Sequence, residues 1–124
     1  FSDNVSLEDE LSLKKLATEK GLLLMGPGCG TAVINGIALG FANVLNRGPV
    51  GIVGASGTGL QELTTLLDRG GVGVSQVIGV GGRDLSDTIG GIMMKKGISM
   101  LSSDPATELI VLISKPPAIA VTQT

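Results

Sequence analysis

The stretch Val50–Gly70, VGIVGASGTGLQELTTLLDRG, decides the fold class of this chain of 124 residues. An apolar run is followed by a glycine-rich turn, Gly54–Gly59, and then by leucines at helical spacing. This order predicts a buried parallel strand, Val50–Val53, that leads directly into a helix, Thr58–Arg69. The first N–H groups of such a helix lack internal partners and lie at the positive end of its dipole. The turn therefore predicts a site for a phosphate or a carboxylate.

The residues of this turn favour the same kind of ligand. Ser56 and Thr58 bring hydroxyl groups, and Gly57 and Gly59 let a ligand approach the backbone closely. A nucleotide P-loop needs Lys followed by Ser or Thr after such glycines, and Leu60-Gln61 stands there instead. The turn therefore predicts an anion site and disfavours a nucleoside triphosphatase.

Two further glycine-rich turns, Gly26–Thr31 and Gly79–Asp84, follow apolar runs. If the strands before them are parallel, all three turns lie at one edge of the sheet and share a pocket. For each turn, tight packing of a strand against a helix is the alternative. No turn completes the dinucleotide pattern G-x-G-x-x-G, so NAD binding is not expected. In the last turn, Arg83 is a candidate ligand for a carboxylate or phosphate, and Asp84 is a candidate helix cap.

The chain has one cysteine and no histidine, which limits its nucleophiles and metal ligands. Cys29 is the one cysteine, which excludes an internal disulfide and fits a reducing cytoplasm. Because no base is visible beside it, a packed or ligand-contacting thiol is favoured over a nucleophile. The chain has no histidine, so it supplies no Ser-His or Cys-His dyad, no histidine-ligated metal and no phosphohistidine. We expect no metal site.

Composition and charge narrow the class of partner. Aromatic residues make up 2% of the chain, and the formal net charge is −2 with scattered basic residues. Nucleic-acid binding needs stacking side chains or a concentrated basic face, so it is not expected. The apolar runs are far shorter than the roughly 20 residues that cross a bilayer, so a membrane partner is not expected either. We predict a soluble cytoplasmic protein with a small-molecule substrate.

Before Val50, the pattern predicts three elements. Ser6 and Asp9 resemble a capping box that begins a helix over Leu7–Lys20. A continuous apolar run, Leu22–Met25, predicts a buried strand, and Asn35-Gly36 between apolar runs predicts a hairpin. We place a subdomain boundary at Asn46–Pro49.

After the second helix, the pattern continues as βαβ. It predicts a strand over Val74–Val80, a helix over Ser86–Leu101 and a strand over Glu108–Ser114. Glycines inside the predicted helix, among them Gly90 and Gly91, each cost about 1 kcal/mol relative to Ala. They indicate either close packing against a neighbour or a broken helix. The alternation predicts an α/β fold with a parallel sheet and right-handed crossovers.

Four segments, in this order, carry a resemblance to a known family. They are MGPGCGT (Met25–Thr31), GIVGASGTGLQE (Gly51–Glu62), GVGGRDLS (Gly79–Ser86) and IVLISKPP (Ile110–Pro117). Over nearly the whole chain they resemble the FdrA family, which is related to the α subunit of succinyl-CoA synthetase. The resemblance implies the end of a Rossmann-like CoA-binding domain in residues 1–46 and an incomplete flavodoxin-like CoA-ligase domain in residues 47–124. We therefore expect the chain to be a piece of a longer protein.

The resemblance also implies roles for individual residues. Gly28, Cys29 and Gly30 correspond to part of a Gly-Pro-Asn-Cys-Pro-Gly turn that lies near bound CoA, although this chain has Gly in place of the Asn and lacks the second Pro. CoA is thus the candidate cofactor. The segment Ser56–Thr58 corresponds to a helix end that holds the phosphate of a phosphohistidine, and a matching histidine would have to follow Thr124.

Three functions remain open on this basis. The first is an acyl-CoA synthetase-like subunit that stabilises a phosphoryl group at Ser56–Gly59. The second is a subunit of an oxamate carbamoyltransferase, since FdrA-type proteins are linked to allantoin and purine catabolism. The third is a non-catalytic scaffold subunit whose glycine turns only pack helices. In each case the partners would be other subunits or further copies of the chain, and the substrate would be phosphorylated or CoA-linked.

Overall fold

The computed structural model describes residues 2–124, which form a mixed α/β fold around one five-stranded sheet. The strands are β1 (Thr31–Ile34), β2 (Ile37–Gly40), β3 (Arg47–Gly54), β4 (Val74–Gly79) and β5 (Leu109–Ile113). The helices are α1 (Leu7–Glu19), α2 (Gly57–Arg69), α3 (Ile92–Ser102) and α4 (Ile119–Thr122). The order of strands across the sheet is β2-β1-β4-β3-β5. No helix among these residues is both long and apolar enough to cross a membrane.

Strands β4, β3 and β5 are parallel, as the sequence predicts. Successive residues of β3 contribute to two separate apolar clusters. Ile52 packs with Leu60 of α2 and Val77, and Val53 packs with Met93 of α3. Neither Ile52 nor Val53 is exposed to solvent. Helices on both faces of the sheet therefore explain why the strand is a continuous apolar run rather than an alternating one.

The hairpin forms where the sequence predicts it. Asn35 and Gly36 both have positive φ angles, 52° and 81°, as a tight two-residue turn between β1 and β2 requires. Strand β1 also pairs with β4, with Val33 opposite Val77. The sheet thus continues across Asn46–Pro49, so the boundary predicted there does not interrupt the hydrogen-bonded sheet.

The strand predicted over Leu22–Met25 is wrong. Leu22 belongs to the end of α1, because its N–H donates to the Ala17 carbonyl (2.7 Å) after Gly21 has taken a left-handed conformation. The remaining residues pair with no strand, and the edge of β4 that a further parallel strand would need is occupied by β1. Leu22 is 59% exposed. A short apolar run at the end of a helix thus resembles a buried strand in sequence without forming one.

The third predicted helix begins later than the sequence suggests. Helix α3 starts at Ile92, because Gly90 and Gly91 have left-handed φ angles of 71° and 72° that interrupt the helix predicted from Ser86. Gly97, inside α3, has a different reason to be glycine. A Cβ there would lie 3.0 Å from a methyl group of Val53, so the helix approaches β3 closely. Both explanations offered for these glycines therefore apply, at different positions.

Helix α1 begins at Leu7 as predicted, and α2 begins at Gly57, one residue before the predicted Thr58. The Ser6 side chain accepts a hydrogen bond from the Asp9 N–H at the start of α1 (3.0 Å). The Ser56 side chain accepts one from the Gly59 N–H at the start of α2 (3.3 Å). The short helix α4 has no counterpart in the sequence-based prediction.

Candidate functional site

The three glycine-rich turns meet at one edge of the sheet. The turns after β3 and β4 are joined by a hydrogen bond from the Val80 N–H to the Gly54 carbonyl (2.9 Å). The turn Gly26–Thr31 follows no strand but packs over the end of β4. A Cβ at Gly81 would lie 2.5 Å from the Pro27 carbonyl oxygen, and one at Gly79 would collide with Cys29 Sγ. Glycine at these two positions therefore permits the contact between the turns.

A cavity of about 310 Å³ lies between the first turn and helix α2, and we call it the α2 cavity. Its lining includes Gly28–Thr31 on one segment and Gly57, Thr58 and Gln61 on another. Gln61 joins the two walls, because its Nε2 donates to the Phe41 carbonyl (2.8 Å) and to Thr31 Oγ1 (3.3 Å). The predicted CoA-contacting residues and the helix end thus line a common space.

The predicted anion-binding residues of the α2 turn divide between two tasks. Gly57 and Thr58 line the α2 cavity. Ser56 caps the helix, with its Oγ accepting from the Gly59 N–H. Gly59 packs against β5, where a Cβ would lie 2.9 Å from a methyl carbon of Ile113. The candidate hydrogen-bond donors on this side of the α2 cavity therefore belong to Gly57 and Thr58.

The charge of this helix end suits an anion. The first turn of α2 contains no acidic residue, whereas the first turn of α1 contains three. A cap by Ser56 satisfies the Gly59 N–H, and the Leu60 N–H donates to the Ser56 carbonyl (3.0 Å). The N–H groups of Gly57 and Thr58 precede these bonds at the positive end of the helix dipole.

Cys29 is half-buried beside the α2 cavity. Burial raises the pKa of its thiol, and this effect exceeds the lowering by hydrogen bonds with the Thr31 and Gly81 backbone and by the charge of Lys14. Its Sγ lies 3.6 Å from the Thr31 carbonyl oxygen. A thiol that stays protonated agrees with a packed or ligand-contacting role and not with an activated nucleophile.

Arg83 lies outside the α2 cavity. Its Nη2 donates to the Val5 carbonyl (2.7 Å) and lies 2.8 Å from Glu10 Oε2. It lines a neighbouring cavity of about 280 Å³, together with Gly82 and Lys115, which we call the Arg83 cavity. Both cavities are also lined by Asp3 and Gly28. The structure thus separates the predicted anion ligands into two adjacent spaces.

A buried ion cluster, which the sequence pattern does not predict, supports the third glycine turn. Glu10, Lys14 and Asp84 are all fully buried. Lys14 Nζ lies 2.7 Å from Glu10 Oε1, 2.7 Å from Asp84 Oδ1 and 3.2 Å from the Val80 carbonyl oxygen. An ammonium group has three donors, so all of them are used. The spacing of Glu10 and Lys14 by four residues was a visible signal of the pair, but not of its burial.

Asp84 is a helix cap, as predicted, but it caps the later start of α3. Its Oδ1 accepts from the Met93 N–H (3.2 Å) and its Oδ2 from the Met94 N–H (2.9 Å), so it caps α3 across the intervening loop. The same carboxylate binds Lys14. The third glycine turn is therefore fixed to α1 and to α3 at once. Among residues 2–124, no group of three or more Cys, Asp or Glu side chains is arranged to hold a metal ion.

Comparison with known proteins gives the family. The family model described as "CoA binding domain" matches residues 46–124. The chain belongs to this CoA-binding family. It is 68% identical over 121 residues to the uncharacterized protein YahF of Escherichia coli (strain K12). That alignment covers 98% of this chain and 24% of YahF. It is 32% identical over 119 residues to a mitochondrial succinate–CoA ligase [ADP-forming] subunit alpha-2 of Trichomonas vaginalis, covering 93% of this chain and 37% of that protein.

Solved structures agree on the fold. The apo form of the dinucleotide-forming acetyl-coenzyme A synthetase 1 of Ca. Korarchaeum cryptofilum matches 98% of this chain and 27% of its own, with a TM-score of 0.66 and 21% identity. PH0766 of Pyrococcus horikoshii OT3 matches 90% of this chain and 25% of its own, with a TM-score of 0.62 and 18% identity. The chain spans only 24% and 37% of the two curated relatives. The predicted relationship to the succinyl-CoA synthetase α subunit is confirmed.

Proposed function

We propose that this chain is part of an acyl-CoA ligase-like protein in which the first turn of α2 binds a phosphoryl group. One observation carries the proposal: Gly57 and Thr58 at the positive end of α2 line the same cavity as Gly28, Cys29 and Gly30. The family match and the likeness to succinate–CoA ligase α subunits support the ligase class. Assignment to the FdrA family is the finer part of this proposal and rests on the sequence motifs.

The proposed chemistry of the helix end is electrostatic. An anion at an exposed helix N-terminus is stabilised by about 0.3–1 kcal/mol, and by up to about 2 kcal/mol in partly buried geometries. Thr58 adds a hydroxyl donor, and preorganised donors of this kind stabilise oxygens that gain charge in a transition state. The chain has no histidine to carry the phosphoryl group. The group must therefore arrive on a substrate or from another part of the complex.

The first turn is the proposed contact for CoA. Gly26 and Gly28 have positive φ angles of 113° and 70°, so this turn presents bare backbone next to the α2 cavity. The cavity of about 310 Å³ lies at the small end of the usual range for ligand pockets, about 300–1,000 Å³. Gly28, Cys29 and Gly30 would contact the cofactor, with the Cys29 thiol, which donates to the Thr31 carbonyl, as a packing contact. CoA supplies the thiol that accepts an acyl group.

The division into domains also belongs to the proposal. The family match falls on residues 46–124, for which the sequence predicts the flavodoxin-like ligase domain. That match is to a CoA-binding domain and does not support a ligase domain there, so the division into the end of a CoA-binding domain in residues 1–46 and a ligase domain in residues 47–124 rests on the FdrA resemblance alone. Partner subunits or further copies of the chain would complete the protein.

The Arg83 cavity favours an alternative function that also depends on anion binding. Arg83 and Lys115 line it, and it adjoins the α2 cavity at Gly28. In an oxamate carbamoyltransferase subunit, the α2 end would hold the phosphate of carbamoyl phosphate, and Arg83 would bind the oxamate carboxylate. A scaffold subunit remains the third alternative, because Gly79 and Gly81 have packing roles of their own.

Binding measurements on the full-length protein with its partner subunits test the proposal. Thr58→Val removes the hydroxyl that lines the α2 cavity and should weaken binding of inorganic phosphate or carbamoyl phosphate about tenfold, as expected for a hydrogen bond to a charged group. Thr88→Val, at an exposed position away from both cavities, is the matched control. Equal phosphate affinity in the wild type and Thr58→Val would contradict the site.

Substrate tests separate the alternatives. Acyl transfer to CoA that depends on Thr58 favours the ligase, and carbamoyl transfer between carbamoyl phosphate and oxamate favours the transferase. Normal activity of the complex with Thr58→Val and with Arg83→Met would favour the scaffold.

A further inference from the structure

The Arg83 cavity combines two cationic side chains that follow β4 and β5, the two strands on either side of β3. Arg83 follows β4 and Lys115 follows β5. The cavity has a volume of about 280 Å³ and shares Asp3 and Gly28 with the α2 cavity. We propose that Lys115 and Arg83 together bind the carboxylate of a small acid substrate. This inference rests on the proposed function, because it supplies the second substrate site beside the phosphate site.

The backbone of the Lys115 loop is fixed at both ends. The Ala55 N–H donates to the Ile113 carbonyl (2.8 Å), and the Ala118 N–H donates to the Leu85 carbonyl (3.0 Å). Two prolines directly after Lys115 restrict the φ angles of the loop between these bonds. The lysine is therefore presented from a fixed loop at the edge of the sheet, although the side chain itself is exposed.

The ammonium of Lys115 lies against the third glycine turn. A Cβ at Gly82 would be 2.9 Å from Lys115 Nζ, so the absence of a side chain at Gly82 makes room for this approach. Among residues 2–124, Nζ has no hydrogen-bond acceptor or acidic partner, in contrast to Lys14, whose three acceptors are all within the protein. The charge of Lys115 is therefore available to a ligand.

Arg83 is oriented but not saturated. Its contacts with Glu10 and the Val5 carbonyl both use Nη2. The hydrogens of Nε and Nη1 are left, and the side chain is 43% exposed. Asp3 is the acidic residue of the cavity lining, and its Oδ1 accepts from the Asn4 N–H (2.8 Å). Arg83 is thus already paired with Glu10, so Lys115 supplies the positive charge that has no ion pair among residues 2–124, and Arg83 supplies its remaining N–H donors.

The size and position of the cavity favour a carboxylate. Both bidentate edges of the Arg83 guanidinium include Nη2, which is occupied, so Nε, Nη1 and the Lys115 ammonium would each give single hydrogen bonds to the carboxylate oxygens. A phosphate is proposed for the adjoining α2 cavity, and Gly28 separates the two spaces without a side chain. The acid and the phosphate-bearing group would then lie side by side, as a group transfer between them requires.

Calorimetric titration of the full-length protein with its partner subunits tests this site. Succinate, oxamate and inorganic phosphate are titrated separately at constant ionic strength. Lys115→Met should weaken binding of the acid about tenfold and leave phosphate binding unchanged. Lys115→Arg, which keeps the charge, should retain most of the affinity for the acid. Lys15→Met, at an exposed lysine on α1, is the matched control and should change neither.

The outcomes distinguish this inference from the proposed function. Acid binding that is equal in the wild type and Lys115→Met, or absent from the wild type, overturns the inference. Weaker phosphate binding with unchanged acid binding in Lys115→Met also overturns it, because the cavity would then be a phosphate site. If Thr58→Val leaves phosphate binding unchanged while Lys115→Met weakens acid binding, the carboxylate site stands and the phosphate site fails.

Discussion

The Lys14 ammonium lies 2.7 Å from the Asp84 carboxylate, and neither side chain is exposed to solvent. Lys14 belongs to α1, and Asp84 ends the third glycine turn and caps α3. Glu10 completes the cluster from the neighbouring turn of α1. One buried cation thus joins three parts of the chain that line or support the candidate site.

Loss of the buried cation should destabilise the fold strongly. Lys14→Met leaves the carboxylates of Glu10 and Asp84 buried without their shared partner, and such uncompensated charges cost about 3–5 kcal/mol. Urea denaturation of the full-length protein measures the change in the free energy of unfolding. Lys15→Met, next to it but exposed, should stay within about 0.5 kcal/mol of the wild type. A loss below about 1 kcal/mol in Lys14→Met would show that the cluster relaxes or admits water.

Two glycines near the site should respond oppositely to alanine. Gly79→Ala places a Cβ onto Cys29 Sγ and the Thr31 carbonyl oxygen, so the first glycine turn must move. We expect a loss of about 1–3 kcal/mol, as for overpacking. At Gly57 the nearest atom to a Cβ is Thr31 Oγ1 at 3.6 Å, so Gly57→Ala should be neutral or stabilise by up to about 1 kcal/mol. Thermal unfolding of the two variants compares them, and equal losses would contradict the packing of the first turn over β4.

Cys29 should react slowly with alkylating reagents. Burial raises the pKa of its thiol, so little thiolate is present near neutral pH. The rate of alkylation by iodoacetamide, followed by mass spectrometry, should be low near neutral pH and reach its plateau at a higher pH than that of an ordinary thiol. A maximum rate already reached near neutral pH would contradict the protonated state.

The same thiol should affect stability at high pH. Because the folded-state pKa lies above the unfolded one, the contribution is fully present below the unfolded pKa and is lost as pH rises through the folded pKa. Cys29→Ser should flatten this part of the stability profile, measured by urea denaturation at several alkaline pH values. An unchanged profile would assign the loss to other groups.

Asp104 should affect stability at acid pH in the opposite sense. Hydrogen bonds from the Ala106 N–H, the Gln76 side chain and the Thr107 hydroxyl hold the pKa of its carboxyl below the usual range. The contribution is therefore present above the unfolded pKa and is lost as pH falls through the folded pKa. Asp104→Asn should remove this part of the acid dependence, whereas Asp87→Asn, at an exposed position, should not. Identical acid profiles for Asp104→Asn and the wild type would contradict the assignment.

Strands and helices could be predicted from the sequence wherever a pattern is typical of one kind of element only. The Val50–Gly70 stretch predicts β3, its turn and α2, and Asn35-Gly36 predicts the hairpin, because both signals depend on residues close in the chain. The strand predicted over Leu22–Met25 was wrong because a short apolar run fits a buried strand and a helix end equally well. The predicted start of α3 was wrong because the residue that caps this helix, Asp84, lies eight positions before its first residue.

The candidate site, too, was predicted in part from local sequence patterns and decided in part by the tertiary structure. The sequence by itself predicted an anion site at the glycine turn before α2 and a candidate anion ligand at Arg83, since both predictions rest on local features. Only the tertiary structure decided which of them meet: Gly57 and Thr58 with Gly28–Thr31, and Arg83 with Lys115. It also decided that Lys14 is buried, because burial depends on the packing of α1 against the turn after β4. Local patterns fix dihedral preferences and chemistry, but contacts between distant segments form only when the sheet brings those segments together.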